Sequence, residues 1–392
     1  MTGGDSFSKS GVFPFDALRR SPDVEAENLL AHDASDRLIL DLAAGAILDS
    51  LPGQVAVVGD RYGTLTLGAA ALGARDIRVH QDSFTGRQAL KANSQLLGAA
   101  PDVYRDCPLS GDLFSGAAVI LMQLPKDLRQ LASWAALAAR FSDPSVQVFA
   151  GGRVKHMSRS MNQVFEGYFA EIRASLGRQK SRVLLVSRPI RAEDEGSFLE
   201  EHFDRELGLR VQSFPGAFAS GKVDIGTRFF VPFAERELAD TCGRIPSPVV
   251  VDLGSGTGVL AAVAVRACPG AQVIATDTSE AAARSSEATL SRNFPGSAGM
   301  WEVRQDHGLS QQPADSVDLI LCNPPFHSEA AISTALSEHL FREAARALKP
   351  GGVMLTVFNS HLRHRAALER LVGPTEQLGR SPKFTVTRSV KR

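Results

Sequence analysis

Val249-Val250-Val251-Asp252-Leu253-Gly254-Ser255-Gly256-Thr257-Gly258 is the stretch whose reading decides how this chain folds. Its first five residues are apolar except for one aspartate, the composition of a strand buried on both faces. Three alternate glycines follow, and then an apolar run from Val259 reads as a buried helix. Glycine lets the backbone turn tightly and come close to a ligand. The free N–H groups at the start of the helix add polar donors to such a turn. A dinucleotide-binding fingerprint would need its third glycine at position 259, and that residue is valine. The nicotinamide-cofactor reading therefore fails here.

Working downstream, the spacing predicts further strands at Gln272–Thr276, Met300–Arg304, Val317–Cys322 and Gly352–Phe358, with helical stretches between them. Lys383–Val390 alternates in polarity and suggests an edge strand. Upstream, Asp36–Leu51 has a helical rhythm, and Gln54–Gly59 reads as a buried strand ending in the turn Asp60-Arg61-Tyr62-Gly63. Strands at Ile77–His80, Ala117–Met122 and Val146–Ala150 alternate with helices at Thr85–Leu97 and Leu128–Arg140. Alternation of this kind implies α/β architecture with parallel sheets covered on both faces. The order strand, turn, helix, strand, helix, strand, proline turn occurs twice, and the distance from Gly59 to Gln123 nearly matches that from Gly254 to Asn323. We read this as a duplication. The acidic stretch 190–202 is the expected connection, giving domains 1–200 and 201–392. A helix is expected over about Val231–Cys242, and residues 1 to about 20 read as a loose arm.

The bulk properties exclude several classes. The chain has 392 residues, enough for two or three domains. Its 43 basic and 43 acidic residues cancel, so nucleic-acid binding must come from local patches. Cys107, Cys242, Cys268 and Cys322 are far apart, which suggests neither a zinc site nor a disulfide framework. No metal is expected. No signal peptide or membrane-length apolar run is read, which places the expected protein in the cytoplasm.

Asn323-Pro324-Pro325-Phe326 follows the apolar run 317–322. Two prolines stop a sheet and hold Asn323 rigidly at its end, where ligands of open α/β sheets bind. The spacing D-x-G-x-G-x-G at 252–258 resembles the first motif of class I S-adenosylmethionine-dependent methyltransferases. In that reading Asp252, Gly254, Gly256 and Gly258 hold the cofactor, and Asp277 accepts from its ribose or serves as a helix cap. Asp306 is the adenine-binding acid or an ordinary loop acid. The tetrapeptide then matches enzymes that methylate a planar nitrogen. The lone pair of such an amine is delocalised into its ring. Two acceptors, the Asn323 side-chain oxygen and the Pro324 carbonyl, would draw the nitrogen toward pyramidal geometry. Phe326 would stack on the base, worth about 1–3 kcal/mol. Pro325 adjoins the substrate, His327 touches it or is a surface histidine, and Phe218, Lys222 and Lys383 are further candidates for its edge. The stretch 214–226 reads as a loop over the site.

Over nearly its whole length the chain resembles the bacterial ribosomal RNA guanine-N2 methyltransferases built from two fused methyltransferase-like halves, of the RsmC and RlmG types. The resemblance rests on GAFASGKVDIGTRFF (216–230), VVVDLGSGTGVLA (249–261) and NPPFH (323–327). DRYGTLTLGAA, LPKDLRQL, FAGGRVKHMSRSMNQVFEGYF and SPKFTVTRSVK look more like the large-subunit, RlmG-like branch. It implies two tandem class I (Rossmann-like) folds, a catalytic C-terminal half that binds S-adenosylmethionine, and a degenerate N-terminal half that positions RNA. The substrate favoured is guanine N2 of 23S rRNA, acted on by a monomer. The alternatives are 16S rRNA, adenine N6, a protein glutamine, or a non-catalytic RNA-binding or assembly protein. Candidate RNA contacts are Arg153, Lys155, His156 and Arg159; His361, Arg363, His364 and Arg365; and Lys383, Arg388, Lys391 and Arg392. A solvated face is the alternative for each cluster.

Overall fold

Both runs of alternating elements build sheets with one and the same strand order. The computed structural model describes residues 13–26, 29–190, 198–218, 222–297, 299–324 and 330–392, without the side chains of 330–333. The chain divides into two compact units between residues 197 and 198.

In the first unit the strands are β1 (Val55–Val58), β2 (Ile77–His80), β3 (Tyr104–Asp106), β4 (Val119–Gln123), β5 (Gln147–Arg153), β6 (Phe169–Ala174) and β7 (Ser181–Pro189). They lie in the order β3-β2-β1-β4-β5-β7-β6, parallel as far as β5 and antiparallel at β7 and β6. Its helices are α1 (Ala34–Leu48), α2 (Thr64–Ala71), α3 (Phe84–Leu96), α4 (Gly111–Phe114), α5 (Leu128–Phe141) and α6 (Arg159–Glu166). β1 and β4 are buried at every position because helices cover both faces. The helix starts carry their own caps: Ser83 Oγ accepts from Gly86 N and Asp127 Oδ1 from Arg129 N.

The second unit opens with a hairpin, β8 (Glu200–Asp204) and β9 (Leu209–Ser213), and helix α7 (Ile225–Arg244). Its main sheet contains β10 (Val249–Leu253), β11 (Gln272–Asp277), β12 (Trp301–Gln305), β13 (Val317–Cys322), β14 (Leu348–Asn359), β15 (Thr375–Arg380) and β16 (Phe384–Val390). The order β12-β11-β10-β13-β14-β16-β15 repeats that of the first sheet. Helices α8 (Val259–Ala267), α9 (Glu280–Asn293), α10 (Ala330–Ala347) and α11 (His364–Leu371) complete it. The hairpin is held along α9 by side chains four residues apart. Ser285 Oγ accepts from Phe214 N, Thr289 Oγ1 accepts from Gln212 N, and Asn293 Oδ1 accepts from Arg210 N. A helical repeat of four residues rises about 6 Å and a strand repeat of two about 6.8 Å, so the two series stay in step. This anchoring fixes the chain that leads to α7.

Several expectations need correction. α7 begins at Ile225, not near Val231, because the Asp224 side chain caps it by accepting from Thr227 N. Pro232 lies inside the helix. β16 is interior, paired with β14 and β15, and the edge strand is the polar β15. Residues from Phe13 onward are packed rather than loose, with Leu18 buried in the first unit's core. Cys242 and Cys268 form a disulfide with Cα atoms 5.9 Å apart, because the last turn of α7 meets the end of α8. Residues 200–202, expected in the connection, belong to β8. Strands β3 and β6, short or rich in charge, escaped the sequence reading, as did β7 despite its apolar run 183–186. No helix among the described residues is long and apolar enough to cross a membrane.

Candidate active site

The parallel strands of the second sheet end on one rim, and Gly254, Gly256, Gly258, Asp277, Asp306 and Asn323 lie there. The loop after β10 carries Gly254, Gly256 and Gly258 at φ of 79°, 57° and 76°, a left-handed region open to glycine. A Cβ added at Gly254 or Gly256 would meet no atom within 4 Å. At Gly258 it would come within 2.8 Å of Ser286 on α9. The first two glycines therefore line open space, while the third allows close helix packing.

Asp252 and Asp277 hold this loop. One Asp252 oxygen accepts from Ala261 N in the first turn of α8 at 2.8 Å. The other is buried with no hydrogen-bond partner among the described residues. Burial first, and then the nearby Asp277 charge, push the Asp252 carboxyl up to about 7 against the Ala261 N–H. Asp277 ends β11 and accepts from Gly256 N at 2.9 Å and from Ser279 N at 2.9 Å. The cap of α9 is Ser279, whose side chain accepts from Ala282 N. Asp306 is buried, and its oxygens accept from His307 N, Ser310 Oγ and Gln311 N. It therefore shapes its own loop at the same rim.

Asn323 follows β13. Its Nδ2 donates to Thr227 Oγ1 at 3.1 Å and to Asp224 Oδ2 at 3.3 Å. Its Oδ1 is buried and has no donor among the described residues. Leaving such an acceptor unpaired costs about 1–3 kcal/mol, and an incoming N–H would recover it. Pro324 is buried. Pro325, Phe326 and His327 lie outside the described residues. Phe218 and Lys222 are exposed, just before the Asp224 cap. Lys383 is exposed at the same rim, because β16 runs antiparallel and its first residue, Phe384, pairs with Asn359 at the end of β14. The Phe384 ring stacks on Phe229 of α7 at 6.3 Å.

The proposed RNA contacts divide. His364 is buried between Phe341 and Phe358, with ring centroids 5.6 and 5.3 Å away, and has no surface role. Arg388 is neutralised by Glu237 through contacts of 2.8 and 3.1 Å. Lys391 is engaged by Asp315 and two carbonyls, and Arg365 pairs with Glu369. His361, Arg363 and Arg392 are exposed. In the first unit Lys155, His156 and Arg159 are exposed, and Arg153 is half-buried. The charges of Lys155, Lys126, Arg61 and Arg153 add to desolvation in holding the His156 imidazole below its ordinary range. Arg61 and Lys126 belong to this cluster and were not read as RNA contacts. The signal was their position after β1 and β4, the same rim that receives Arg153 from β5.

The corresponding turn of the first unit is filled. A Cβ at Gly59 would fall 2.9 Å from the Gln123 carbonyl, and one at Gly63 would fall 2.6 Å from Leu90. Asp60 is buried and accepts from Gly63, Leu65 and Thr66 N–H groups at the start of α2. Tyr62 donates to Asp23 at 2.6 Å and lies 4.7 Å from the Arg20 guanidinium.

Comparison with known proteins agrees with this geometry. Residues 13–190 match the model of the RLMG N-terminal domain, and residues 208–388 that of the methyltransferase small domain. A solved T. Thermophilus 16S rRNA N2 methyltransferase (RsmC), in complex with AdoMet and guanosine, superposes with TM-score 0.70 at 22% identity, covering 90% of this chain and 92% of that one. That likeness establishes the tandem class I methyltransferase fold. Ribosomal RNA large subunit methyltransferase G of Streptomyces avermitilis is 34% identical over 96% of this chain and 97% of its own length. The protein of that name from Pseudomonas fluorescens (strain Pf0-1) is 31% identical over 95% and 97%. With relatives matched from end to end and both domain models satisfied, the chain belongs to the ribosomal RNA large subunit methyltransferase G family.

Proposed function

We propose that this chain methylates the exocyclic N2 of a guanine in 23S rRNA, using S-adenosylmethionine. The observation that carries the reading is the Asn323 amide. Its N–H groups are committed to Asp224 and Thr227, and its buried oxygen has no donor among the described residues. The open space at Gly254 and Gly256 fits a bulky ligand on the same rim. Bound there, S-adenosylmethionine supplies an electrophilic methyl group. Gly254 and Gly256 let the backbone approach it, Gly258 lets the turn pack closely on α9, Asp252 holds the loop on α8, and Asp277 and Asp306 present carboxylates after the next two strands.

On the substrate side, Asn323 Oδ1 accepts one amine hydrogen and the Pro324 carbonyl the other. Both acceptors localise the lone pair on nitrogen, and the surplus proton leaves after transfer. Phe326 stacks on the base, with Pro325 and His327 beside it. Phe218, Lys222 and Lys383 line the approach. Domain 201–392 is thus the catalytic one. Domain 1–200 binds no cofactor and positions RNA through Arg61, Lys126, Arg153, Lys155 and His156, with phosphate contacts supplying affinity. The enzyme acts as a cytoplasmic monomer, and this chemistry asks for no metal.

The test is transfer of labelled methyl groups onto rRNA from cells lacking the protein, with the modified nucleoside identified. Label on a guanine N2 of 23S rRNA is expected. Label on 16S rRNA, on adenine N6 or on protein, or no transfer at all, overturns the reading.

A further inference from the structure

We propose that Asp224, seconded by Thr227, is a positioning residue that dictates which way the Asn323 amide points and so creates the acceptor for the substrate amine. This inference rests on the reading of Asn323 given above. The two ends of a carboxamide are nearly equal in shape, so packing alone barely distinguishes them. Hydrogen bonding does. A carboxylate oxygen only accepts, and Asp224 Oδ2 lies 3.3 Å from the amide nitrogen. The NH2 end must therefore face Asp224, and Oδ1 must face away from it. A flipped amide would set its oxygen against the carboxylate and offer N–H groups to an amine that itself brings N–H groups.

Asp224 is rigid in this role. It caps α7, and the same Oδ2 accepts from Thr227 N at 3.1 Å. Thr227 is buried, and its hydroxyl accepts the second amide hydrogen at 3.1 Å. A negative charge at the NH2 end also polarises the amide and strengthens Oδ1 as an acceptor. The first unit carries the same construction. Gln123, the last residue of β4, donates from Nε2 to Ser35 Oγ at 3.0 Å and to Asp36, both in the first turn of α1. There the Ser35 hydroxyl lies 3.3 Å from Oε1 as well, so one group stands beside both ends of the amide. At position 226, matching Ser35 in the helix turn, glycine offers no hydroxyl, and Asn323 Oδ1 is left for a ligand.

Asp224→Asn tests the idea, because asparagine caps a helix as well as aspartate but donates as readily as it accepts. Single-turnover methyl transfer should slow about ten- to a hundredfold, the range typical when a partner that orients a functional group is lost. KM for RNA, cofactor affinity and the melting temperature should stay near wild type. Thr227→Ser, which keeps the hydroxyl, should recover what Thr227→Val loses. In an Asn323→Ala background, Asp224→Asn should add no further loss. A wild-type rate in Asp224→Asn beside an inactive Asn323→Ala would sink the positioning role alone. Full activity in Asn323→Ala would sink the underlying reading. Additive losses, or a rate loss that tracks a lowered melting temperature, would reduce Asp224 to a helix cap and overturn the proposal.

Discussion

Each unit ends its fourth parallel strand with a carboxamide, Gln123 in the first and Asn323 in the second, and the two amides have opposite fates. Gln123 reaches one methylene further, into the first turn of α1, where Ser35 and Asp36 take its nitrogen and the Ser35 hydroxyl lies 3.3 Å from its oxygen. Asn323 stops short, and among the described residues only its nitrogen has a partner. The glycine turns diverge in the same sense. In the second unit Gly254 and Gly256 face open space. In the first, Arg61 stands where Gly256 would be, Asp60 takes up the N-terminal N–H groups of α2, and Tyr62 is tied to Asp23. The first unit's counterpart of the site is thus closed by its own side chains, while the sheet order is the same in both. Strand order depends on buried apolar surface, which both units keep. A ligand site depends on a few unfilled polar and steric vacancies, which a handful of substitutions remove.

The comparison can be broken by copying one unit into the other. Gly256→Arg should abolish binding of S-adenosylmethionine in a calorimetric titration, since it adds a side chain at a φ of 57° and fills the open space. Retained binding would show that the turn is not what separates the units. Asn323→Ala should lower the rate of methyl transfer by about a hundredfold or more, as when one group that stabilises a transition state is removed, while the cofactor still binds. Arg153→Ala with Lys155→Ala should weaken RNA binding about tenfold and flatten the logarithmic salt dependence by about one per lost phosphate contact. An unchanged salt slope would leave the first unit without its assigned role.

The smallest effect concerns pH. Burial, helped by Asp33, pushes the Asp36 carboxyl up to about 7 against the Asp33 N–H that it accepts. Its unfolded value is about 4. Between those limits the folded state keeps a proton that the unfolded chain releases, so stability falls as pH rises from about 4 to about 7. Each such group contributes at most about 1.4 kcal/mol per pH unit. Asp36→Asn should flatten this dependence in thermal unfolding, without erasing it, because Asp252 is raised to about 7 with the same sign.

The sequence by itself determined the fold class, the repeat, the glycine turn and the rigid asparagine after β13. These signals are local: runs of apolar residues, and glycine and proline at fixed offsets. It was silent where partners lie far apart in the chain. Asp224 precedes Asn323 by 99 residues, and only the packing of α7 beside β13 brings them within 3.3 Å. Position along the chain made His364 and Arg388 look like surface charges, yet one is enclosed by Phe341 and Phe358 and the other is paired with Glu237. β16 looked like an edge because it comes last, but the polar β15 lies outside it. Burial and pairing are properties of neighbours in space. The sequence therefore supplied the groups that do chemistry, and their packing set which of them keep a hydrogen-bonding position open to a ligand.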